Sequence, residues 1–586
     1  MLTERDRNLL ERGATALRAG DLSAAERFCS EVLQRAPGDS EALNILGAVA
    51  FSRRNYADAQ RLFLLASSAS PENTGAMFNL GKVYEVQKRF EDAAATYLKI
   101  LSRQPKNRET RLRLGIVRYQ QGGIDEAISA FEDLLSEEPD NETAGLSLGV
   151  AYNTVGRYEE STRVLRGLLA RVPQNVEAQY ALADSLYELH RVEEAAGVCR
   201  AALASDPNDI GATVLLGQVE CDRGEYAAAE RLFRAATMRD PERHEAPMNL
   251  GVLYQRLGRI DEALENGKRA IEIAPSEPLA HVNYAMGLLL AGDYANGWRQ
   301  LEWRMLDPKM RDHYPHRNRV PLWTGERLDG TLLIAREQGL GDFILFSRFF
   351  AAAAARVTQL GVEVPRELVP LYQNFPAITA YEDRCDLRSL EGLQAHLPLC
   401  SLPFVLGVGP QIAAPVPYLA ANPSRARYYR ERLSQAGNAL RVGLVWAGSP
   451  GHLLDRYRSA PTRAYAQLAD LPGIAWFSLQ KGAREPMTAL EITDLGPDLH
   501  DFEETAAAVD ALDLVVSVDT AVAHLAGAMG KDVWLLNGFG SYWLWQLRRS
   551  DTPWYPTMRL FRQPAPNDWN GLFSALREAL KERTRS

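Results

Sequence analysis

Eight prolines recur through the first half of the chain at a constant spacing of 34 residues, and this spacing constrains the fold more than any other feature. They are Pro37, Pro71, Pro105, Pro139, Pro173, Pro207, Pro241 and Pro275. Proline ends a helix because its ring removes a hydrogen-bond donor, and a period of this length is typical of stacked helix–turn–helix units. The sequence therefore predicts an α-solenoid in which each proline follows the second helix of a pair.

Small residues keep the same register. Ten positions after each proline comes glycine or alanine: Gly47, Gly81, Gly115, Gly149, Ala183, Gly217, Gly251 and Ala285. Twelve positions before each proline comes another small residue: Ala25, Ala59, Ala93, Ala127, Ser161, Ala195, Ala229 and Ala263. Half of the repeats add an aromatic residue eight positions before the proline: Phe63, Tyr97, Phe131 and Phe233. Small side chains let two helices approach closely, and the bulky one fills the space beside them.

This pattern of small, bulky and proline positions resembles the tetratricopeptide repeat. The resemblance covers residues 4–275, with a partial ninth repeat to about residue 305, so we predict a solenoid domain over residues 1–305. Arrays of this kind present a long concave surface to another macromolecule, usually a protein.

Composition and charge exclude several classes of protein. The chain of 586 residues has a formal net charge of −9, which argues against a protein that mainly binds nucleic acid. Its start, Thr3-Glu4-Arg5-Asp6, is charged where a signal peptide would be apolar. No apolar run is long enough to span a membrane, and the five cysteines have no metal or redox spacing. We expect a cytoplasmic protein with reduced, mostly buried thiols.

The periodicity ends in a connector, residues 306–330, rich in proline, arginine, histidine and aspartate. His313 and His316 lie close together within it, but two histidines without a third ligand are not typical of a metal site. We therefore predict no metal there.

From residue 331 onward the chain shows short apolar runs followed by turns and helical segments. The runs lie at residues 332–335, 442–446, 474–479, 512–518 and 533–536. Strands that alternate with helices predict parallel sheets covered on both faces. The length suits two such domains, over residues 331–430 and 431–586. Ligands bind such domains at the carboxyl ends of the strands.

The first motif with potential chemistry is residues 337–342 (EQGLGD), where a strand turns into a helix. Glycines there let a substrate approach the backbone, and the N-terminus of the next helix favours negative charge. Asp342 is either a carboxylate that caps this helix or a catalytic group. The motif alone leaves both roles open.

A second motif follows the run at residues 442–446. A turn of small residues, 447–449, precedes His452, Asp455, Arg456, Arg458 and Ser459. Clustered basic side chains suit a phosphate or diphosphate. An ordinary polar loop has the same composition, so this motif also leaves two interpretations.

The third motif, residues 514–528 (LVVSVDTAVAHLAGA), is the most informative. A buried strand leads to Asp519 and Thr520 at a sharp turn, and a helix of small residues follows. The free N–H groups and the positive end of this helix suit a pyrophosphate. His524 lies four residues after Thr520 on the same helix face. It is either structural or part of the binding site.

Together these motifs resemble the heptosyltransferase-like glycosyltransferases of family 9, which have the GT-B fold of two Rossmann-like α/β domains. The likeness is greatest to the branch that carries tetratricopeptide repeats in front. It spans nearly all of residues 320–580. The segments that carry it are residues 321–326, 337–342, 398–403, 443–448, 477–482, 518–527 and 553–556.

The resemblance implies an inverting transfer from a nucleotide-sugar, with Asp342 as general base and no cofactor. The donor contacts that it implies are Gly341, Gly448, Arg458, Gln480, Lys481, Asp519, Thr520, Ala521 and His524. The second half of the chain contains no Asp-x-Asp, so the sequence requires no metal, and helix N-termini and basic side chains would stabilise the leaving diphosphate. The family's Asp-Trp-Arg-Trp-like run is here Tyr542-Trp543-Leu544-Trp545, which leaves the identity of the donor open.

Joined to such an enzyme, the repeats resemble those of protein O-glycosyltransferases, which can grip a client backbone with asparagines. The position two before the small helical residue holds Asn79, Asn249 and Asn283 but other residues elsewhere. This broken ladder predicts a narrow client range, although a solvated helix surface explains the three asparagines equally well.

We thus expect protein glycosylation by a cytoplasmic enzyme, with flagellin as the leading candidate client on the repeat groove. Two alternatives are transfer to lipopolysaccharide or another glycan, with the repeats recruiting assembly partners, and a non-catalytic repeat scaffold.

Overall fold

The fold comes from a computed structural model that describes residues 2–307, 316, 319–376, 378–383, 392–409, 415–449, 455–482, 485–540 and 542–585. The chain divides into two compact units, Met1–Glu225 and Tyr226–Ser586. This division falls within the predicted solenoid domain of residues 1–305. The first unit contains repeats alone, whereas the second contains the last repeats together with both sheets.

Paired helices make up the first unit. They are α1 (Glu4–Arg18), α2 (Leu22–Arg35), α3 (Ser40–Ser52), α4 (Tyr56–Ala69), α5 (Thr74–Val86), α6 (Phe90–Leu101), α7 (Arg108–Gln120), α8 (Ile124–Glu137), α9 (Glu142–Thr154), α10 (Tyr158–Arg171), α11 (Val176–Glu188), α12 (Val192–Ser205) and α13 (Ile210–Asp222). The predicted solenoid is confirmed, since each second helix ends just before one of the periodic prolines.

In six of the repeats, the residue two after the proline starts the next helix. An Asn or Asp side chain there accepts a hydrogen bond from the backbone N–H three residues on. These caps are Asp39, Asn73, Asn107, Asn141, Asn175 and Asp209. The chain thus encodes both the end of one helix and the beginning of the next within three residues.

The small and aromatic positions pack against each other as predicted. A methyl group added at Gly47 would lie 2.6 Å from the Phe63 ring, and one at Gly115 would lie 2.7 Å from the Phe131 ring. Both rings are almost fully buried. The glycine is therefore required because the ring of the paired helix occupies the space of a side chain.

The second unit begins with the remaining repeat helices. They are α14 (Tyr226–Arg239), α15 (Glu245–Arg256), α16 (Ile260–Ile273), α17 (Pro278–Ala291) and α18 (Tyr294–Leu301), followed by a short 3-10 helix, Glu302–Leu306.

A four-stranded parallel sheet follows. Its elements are β1 (Leu328–Ala335), α19 (Leu340–Phe346), α20 (Phe350–Ala354), β2 (Val357–Val364), α21 (Val369–Tyr372), β3 (Thr379–Glu382), β4 (Leu393–Pro398) and α22 (Leu402–Leu406). The strand order is β3-β2-β1-β4.

The last part of the chain forms a six-stranded parallel sheet. Its elements are α23 (Pro423–Leu433), β5 (Leu440–Val445), α24 (Asp455–Arg458), β6 (Ile474–Ser478), β7 (Ile492–Asp494), α25 (Phe502–Asp510), β8 (Leu514–Val518), α26 (Ala521–Ala528), β9 (Val533–Asn537), β10 (Met558–Arg562) and α27 (Trp569–Arg585). The strand order is β10-β9-β8-β5-β6-β7. Strands β6 and β7 are added on one side of β5, and β8, β9 and β10 on the other, so the order of addition reverses between β5 and β8. A reversal of this kind opens a crevice for ligands at the carboxyl ends of the two strands.

One apolar core joins the parts of the second unit. It contains Trp298 from α18, Leu332 from β1, Val515 from β8 and Trp554, which precedes β10. A second cluster fills the other face of the six-stranded sheet, between Leu444, Val516 and Leu576. The fold class of a repeat solenoid followed by α/β sheets is confirmed.

The close packing of Gly115 predicts that Gly115→Ala destabilises the protein. The added methyl group meets the buried Phe131 ring, and overpacking of this kind costs about 1–3 kcal/mol. Gly167→Ala is the matched control, because this helical glycine has no atom within 4 Å of the added carbon, and there alanine stabilises a helix by about 0.5–1 kcal/mol. Urea unfolding of both variants of the full chain measures the difference. Equal midpoints for the two would contradict the packing account.

Candidate functional site

The candidate site lies where two helices of the second unit begin beside each other. Helix α19 follows β1, and helix α26 follows β8. A carbon added at Gly341 would lie 2.9 Å from His524 Cδ2 and 3.6 Å from Ala521 Cα. Only a residue without a side chain permits this approach, which brings the first turns of both helices to one place.

Asp342 lies in the first turn of α19, and both of its carboxylate oxygens accept hydrogen bonds. Oδ2 accepts a hydrogen bond from the Gly339 N–H at 3.3 Å, and Oδ1 accepts one from the Tyr542 hydroxyl at 3.3 Å. The capping interaction is therefore present, and the carboxylate still remains partly exposed. Burial raises the pKa of Asp342 above its usual value, opposed by the nearby His524 and reinforced by Asp519. A raised carboxyl pKa suits a general base.

Asp519, Thr520 and His524 meet at the carboxyl end of β8. His524 Nε2 lies 3.7 Å from Asp519 Oδ1, and His524 Nδ1 lies 2.9 Å from the Tyr555 hydroxyl. Burial alone would raise the pKa of Asp519, but its contact with His524 and the proximity of Trp545 and Arg458 leave it below the usual value. Asp519 is thus a carboxylate held among hydrogen-bond donors and a cation.

Thr520 leaves the start of α26 without a side-chain cap. Its hydroxyl lies 3.0 Å from the Ser517 hydroxyl, and its backbone is extended. Among the described residues, no side chain therefore caps the first N–H groups of α26, which begin at Ala521. Such an N-terminus attracts an anion.

The turn after β5 lies beside Asp519 and forms one wall of the candidate site. Gly448 N–H donates to Ser459 Oγ at 3.0 Å, and Ser459 Oγ donates to Asp455 Oδ1 at 2.7 Å. A carbon added at Gly448 would lie 2.6 Å from the Arg458 guanidinium. Arg458 Nε has no hydrogen-bond partner among the described residues but lies 3.7 Å from Asp455 Oδ1, with which it forms an ion pair. The missing side chain at Gly448 thus leaves room for a guanidinium close to Asp519.

Gln480 and Lys481 are bonded to the backbone of the surrounding loops. Gln480 Oε1 accepts hydrogen bonds from the Trp446 and Ala447 N–H groups at 3.0 and 2.9 Å. Lys481 Nζ donates to the carbonyls of Leu499 and His500 at 3.0 and 3.3 Å. These side chains hold the turns at the ends of β5 and β7, and their role as donor contacts stays a prediction.

The three predicted client asparagines have different surroundings. In the first unit, Asn79 Nδ2 donates to Asn44 Oδ1 at 3.0 Å, which links neighbouring repeats. In the second unit, Asn249 Nδ2 donates to the carbonyl of Glu245 in its own helix, and the Asn283 backbone carbonyl accepts from Gln255 Nε2. All three are half-buried. Their binding of a client stays a prediction.

Some predicted features lie outside the described residues: His313, Cys385, His452 and the side chain of Arg456. His316 is described, and its Nε2 lies 3.0 Å from the buried Glu363 Oε1. The connector histidine therefore contacts a carboxylate on β2. Within the described ranges, no helix combines the length and the apolar character needed to cross a membrane.

A buried ionic cluster, which the sequence analysis missed, supports the first motif. Arg304 donates to Glu337 Oε1 at 2.9 Å and Oε2 at 3.2 Å, and to Ser401 Oγ at 2.8 Å. The side chains of Arg304 and Glu337 are only 5% and 1% exposed. Glu337 also accepts the Cys400 N–H at 2.5 Å. The cluster ties the loop before α19 to the end of the repeats and to the segment after β4.

Comparison with known proteins identifies the repeats. The tetratricopeptide repeat family model matches residues 46–108, 112–161, 154–210 and 214–278. Protein FlbA of Caulobacter vibrioides is 28% identical to this chain over 365 residues. The match covers 56% of this chain and 59% of that protein, less than two thirds of its length.

Solved repeat structures are also similar. A thermophilic tetratricopeptide repeat protein of Thermus thermophilus is 28% identical, covers 31% of this chain and 99% of its own, and has a TM-score of 0.29. A tetratricopeptide repeat protein of Parabacteroides merdae is 20% identical, covers 41% of this chain and 94% of its own, and has a TM-score of 0.35. The family model thus assigns tetratricopeptide repeats to residues 46–278, and repeats of this class generally mediate protein–protein contacts.

The ionic cluster predicts that Glu337→Gln costs up to about 3 kcal/mol, because it removes one of the two carboxylates paired with the buried Arg304, whereas Glu302 keeps its contact at 2.7 Å. Glu578→Gln is the matched control. Its carboxylate lies 2.7 Å from Lys581 Nζ, with side chains 67% and 34% exposed, and the loss of an exposed pair costs no more than about 0.5 kcal/mol. Thermal and urea unfolding of the full chain compare the two variants. If they prove equally stable, the cluster does not support the loop.

Proposed function

We propose that this protein is a glycosyltransferase that moves a sugar from a nucleotide-sugar to a hydroxyl group of a protein held by its repeats. The observation that carries the proposal is the contact between the first turns of α19 and α26 at Gly341 and His524. It places a carboxylate with a raised pKa beside a helix N-terminus in the crevice of a parallel sheet.

The donor side of the proposed site is the strand reversal between β5 and β8. The diphosphate of the donor would bind at the N-terminus of α26, where N–H groups and the helix dipole attract negative charge. Arg458 adds a cation from the turn after β5. This positive charge would stabilise the nucleoside diphosphate as it leaves, so the proposal requires no metal ion.

Asp342 would act on the acceptor side. Its carboxylate takes the proton of the acceptor hydroxyl while the hydroxyl oxygen attacks the anomeric carbon. The bond from this carbon to the diphosphate oxygen breaks at the same time, and its electron pair leaves with the nucleotide. Attack from the face opposite the leaving group inverts the anomeric centre.

The repeats would supply the client protein. Tetratricopeptide arrays bind proteins along their concave surface, and the first unit consists of repeats alone. Flagellin is the client that we propose to test first, because enzymes that this architecture resembles modify flagellin.

Intact-mass measurement of flagellin and other abundant proteins, from cells with and without this protein, tests the proposal. We expect at least one protein to lose the mass of one or more sugar residues when this protein is absent, and to regain it when the full chain is restored. Identical masses in both cell types would contradict the proposed function.

A second arm of the same experiment restores only residues 226–586. This part forms a compact unit with both sheets but lacks most of the repeats, so we expect it not to restore the client's mass. Full restoration by the shorter chain would show that the first unit does not select the client.

A further inference from the structure

The hydroxyl of Tyr542 forms a hydrogen bond with the carboxylate of Asp342, although the two residues follow strands of different sheets. Tyr542 follows β9 in the six-stranded sheet, whereas Asp342 follows β1 in the four-stranded sheet. The Tyr542 hydroxyl donates to Asp342 Oδ1 at 3.3 Å. The tyrosine occupies the position at which the sequence departs from the family that it resembles.

The residues after Tyr542 are firmly packed. We call residues 542–546 the aromatic loop. Trp543 and Trp545 in this loop are 4% and 0% exposed. The Trp543 ring packs edge-on against Trp298 of α18, with centroids 5.2 Å apart, and against Trp554, with centroids 5.7 Å apart. The aromatic loop is thus anchored in the core that joins the last repeat to the sheets.

Two contacts place the aromatic loop, and the glycine just before it, against the repeat helices. A carbon added at Gly540 would lie 2.8 Å from the carbonyl oxygen of Arg256, the last residue of α15. Gln546 Nε2 donates to the Tyr294 hydroxyl at the start of α18, at 3.1 Å. The last two repeats therefore determine where the aromatic loop lies, and with it the Tyr542 hydroxyl.

We propose that Tyr542 is a positioning residue for Asp342, held in place by the last two repeats: its hydroxyl orients the carboxylate by donating a hydrogen bond to Oδ1. This inference rests on the proposed function of Asp342 as the general base. It assigns the last repeats to the catalytic unit, in addition to any role of the earlier repeats in holding a client.

The charged groups around Asp342 determine the sign of the effect. Burial and Asp519 raise the pKa of Asp342, whereas His524, the Gly339 N–H and the Tyr542 hydroxyl lower it. Cys400 also faces Asp342, and burial holds the pKa of its thiol well above the usual value. Burial likewise raises the pKa of Tyr542 well above its usual value, so the phenol stays protonated and donates. Removal of the hydroxyl therefore raises the pKa of Asp342. As the pH falls, the carboxylate of the variant becomes protonated at a higher pH than that of the wild type.

Carbodiimide labelling of Asp342 as a function of pH, read by peptide mass spectrometry, tests this inference without catalysis. The reagent modifies the protonated carboxyl, so the midpoint of labelling follows the pKa. Tyr542→Phe retains the ring but removes the hydroxyl that donates to Asp342, so it should move the midpoint upward. Tyr428→Phe is the matched control, because Tyr428 is an exposed tyrosine on α23, and it should leave the midpoint unchanged. An unchanged midpoint in Tyr542→Phe would overturn the role of the hydroxyl.

Gly540→Ala tests the contribution of the repeats. The added methyl group meets the Arg256 carbonyl and displaces the loop while Tyr542 stays intact. We expect the labelling midpoint to move in the same direction as in Tyr542→Phe. A midpoint equal to that of the wild type would show that the contact with α15 does not hold the tyrosine.

The pH dependence of transfer by the full chain provides the second readout. In Tyr542→Phe, the acid limb of kcat/KM should move upward by the same amount as the labelling midpoint. If the wild type transfers the sugar but the acid limb of the variant does not shift, the positioning role of Tyr542 is overturned while the proposed function stands. A shifted labelling midpoint without transfer by the wild type would instead support the contact and contradict the proposed function.

Discussion

The site depends on the close contact between the first turns of α19 and α26. Gly341 has no side chain, and a carbon at that position would lie 2.9 Å from the His524 ring. A side chain at this position would meet the His524 ring, so either His524 or one of the two helices would have to shift. The absence of a side chain at Gly341 thus lets residues that follow β1 in one sheet and β8 in the other lie in one site.

Buried cations stabilise this contact from both sides. Arg348 is 3% exposed, donates to the Trp554 carbonyl at 2.8 Å and lies 5.1–5.4 Å from the ring centroids of Tyr418, Trp554 and Tyr555. Aromatic faces offset part of the cost of burying a guanidinium. Tyr555 in turn contacts His524. Arg304 has the corresponding role for the loop before α19, through Glu337.

Local patterns in the sequence predicted much of the fold, because the residues that end and pack the helices lie within each repeat. A proline ends the second helix of each pair, and in several repeats glycine faces an aromatic ring of the paired helix, as the sequence predicted. The Asn and Asp caps were found only in the structure. Strands β1, β5, β6, β8 and β9 were also predictable, since each is a short apolar run followed by a turn. Strands β7 and β10 were not, because they lie at the sheet edges, where apolar runs are weaker.

The site was only partly predictable, because long-range packing decides which side chains meet. Asp342 and Tyr542 are 200 residues apart, and Arg304 and Ser401 are 97 residues apart. No spacing rule connects such positions. Gln480 gives another example, since its amide oxygen accepts from the turn after the neighbouring strand β5, 33 and 34 residues earlier in the chain, and its role as a donor contact stays a prediction.

Replacement of Asp342 by Asn tests the central claim most directly. Asparagine can still accept the Gly339 N–H but cannot take a proton, so the variant should fold and bind nucleotide as the wild type does. Intact-mass measurement of a client, incubated with the purified protein and a nucleotide-sugar, should show transfer slowed by about 100-fold or more. Calorimetry with the same nucleotide should show unchanged affinity. Transfer at the wild-type rate by this variant would contradict the account and leave Asp342 with a capping role alone.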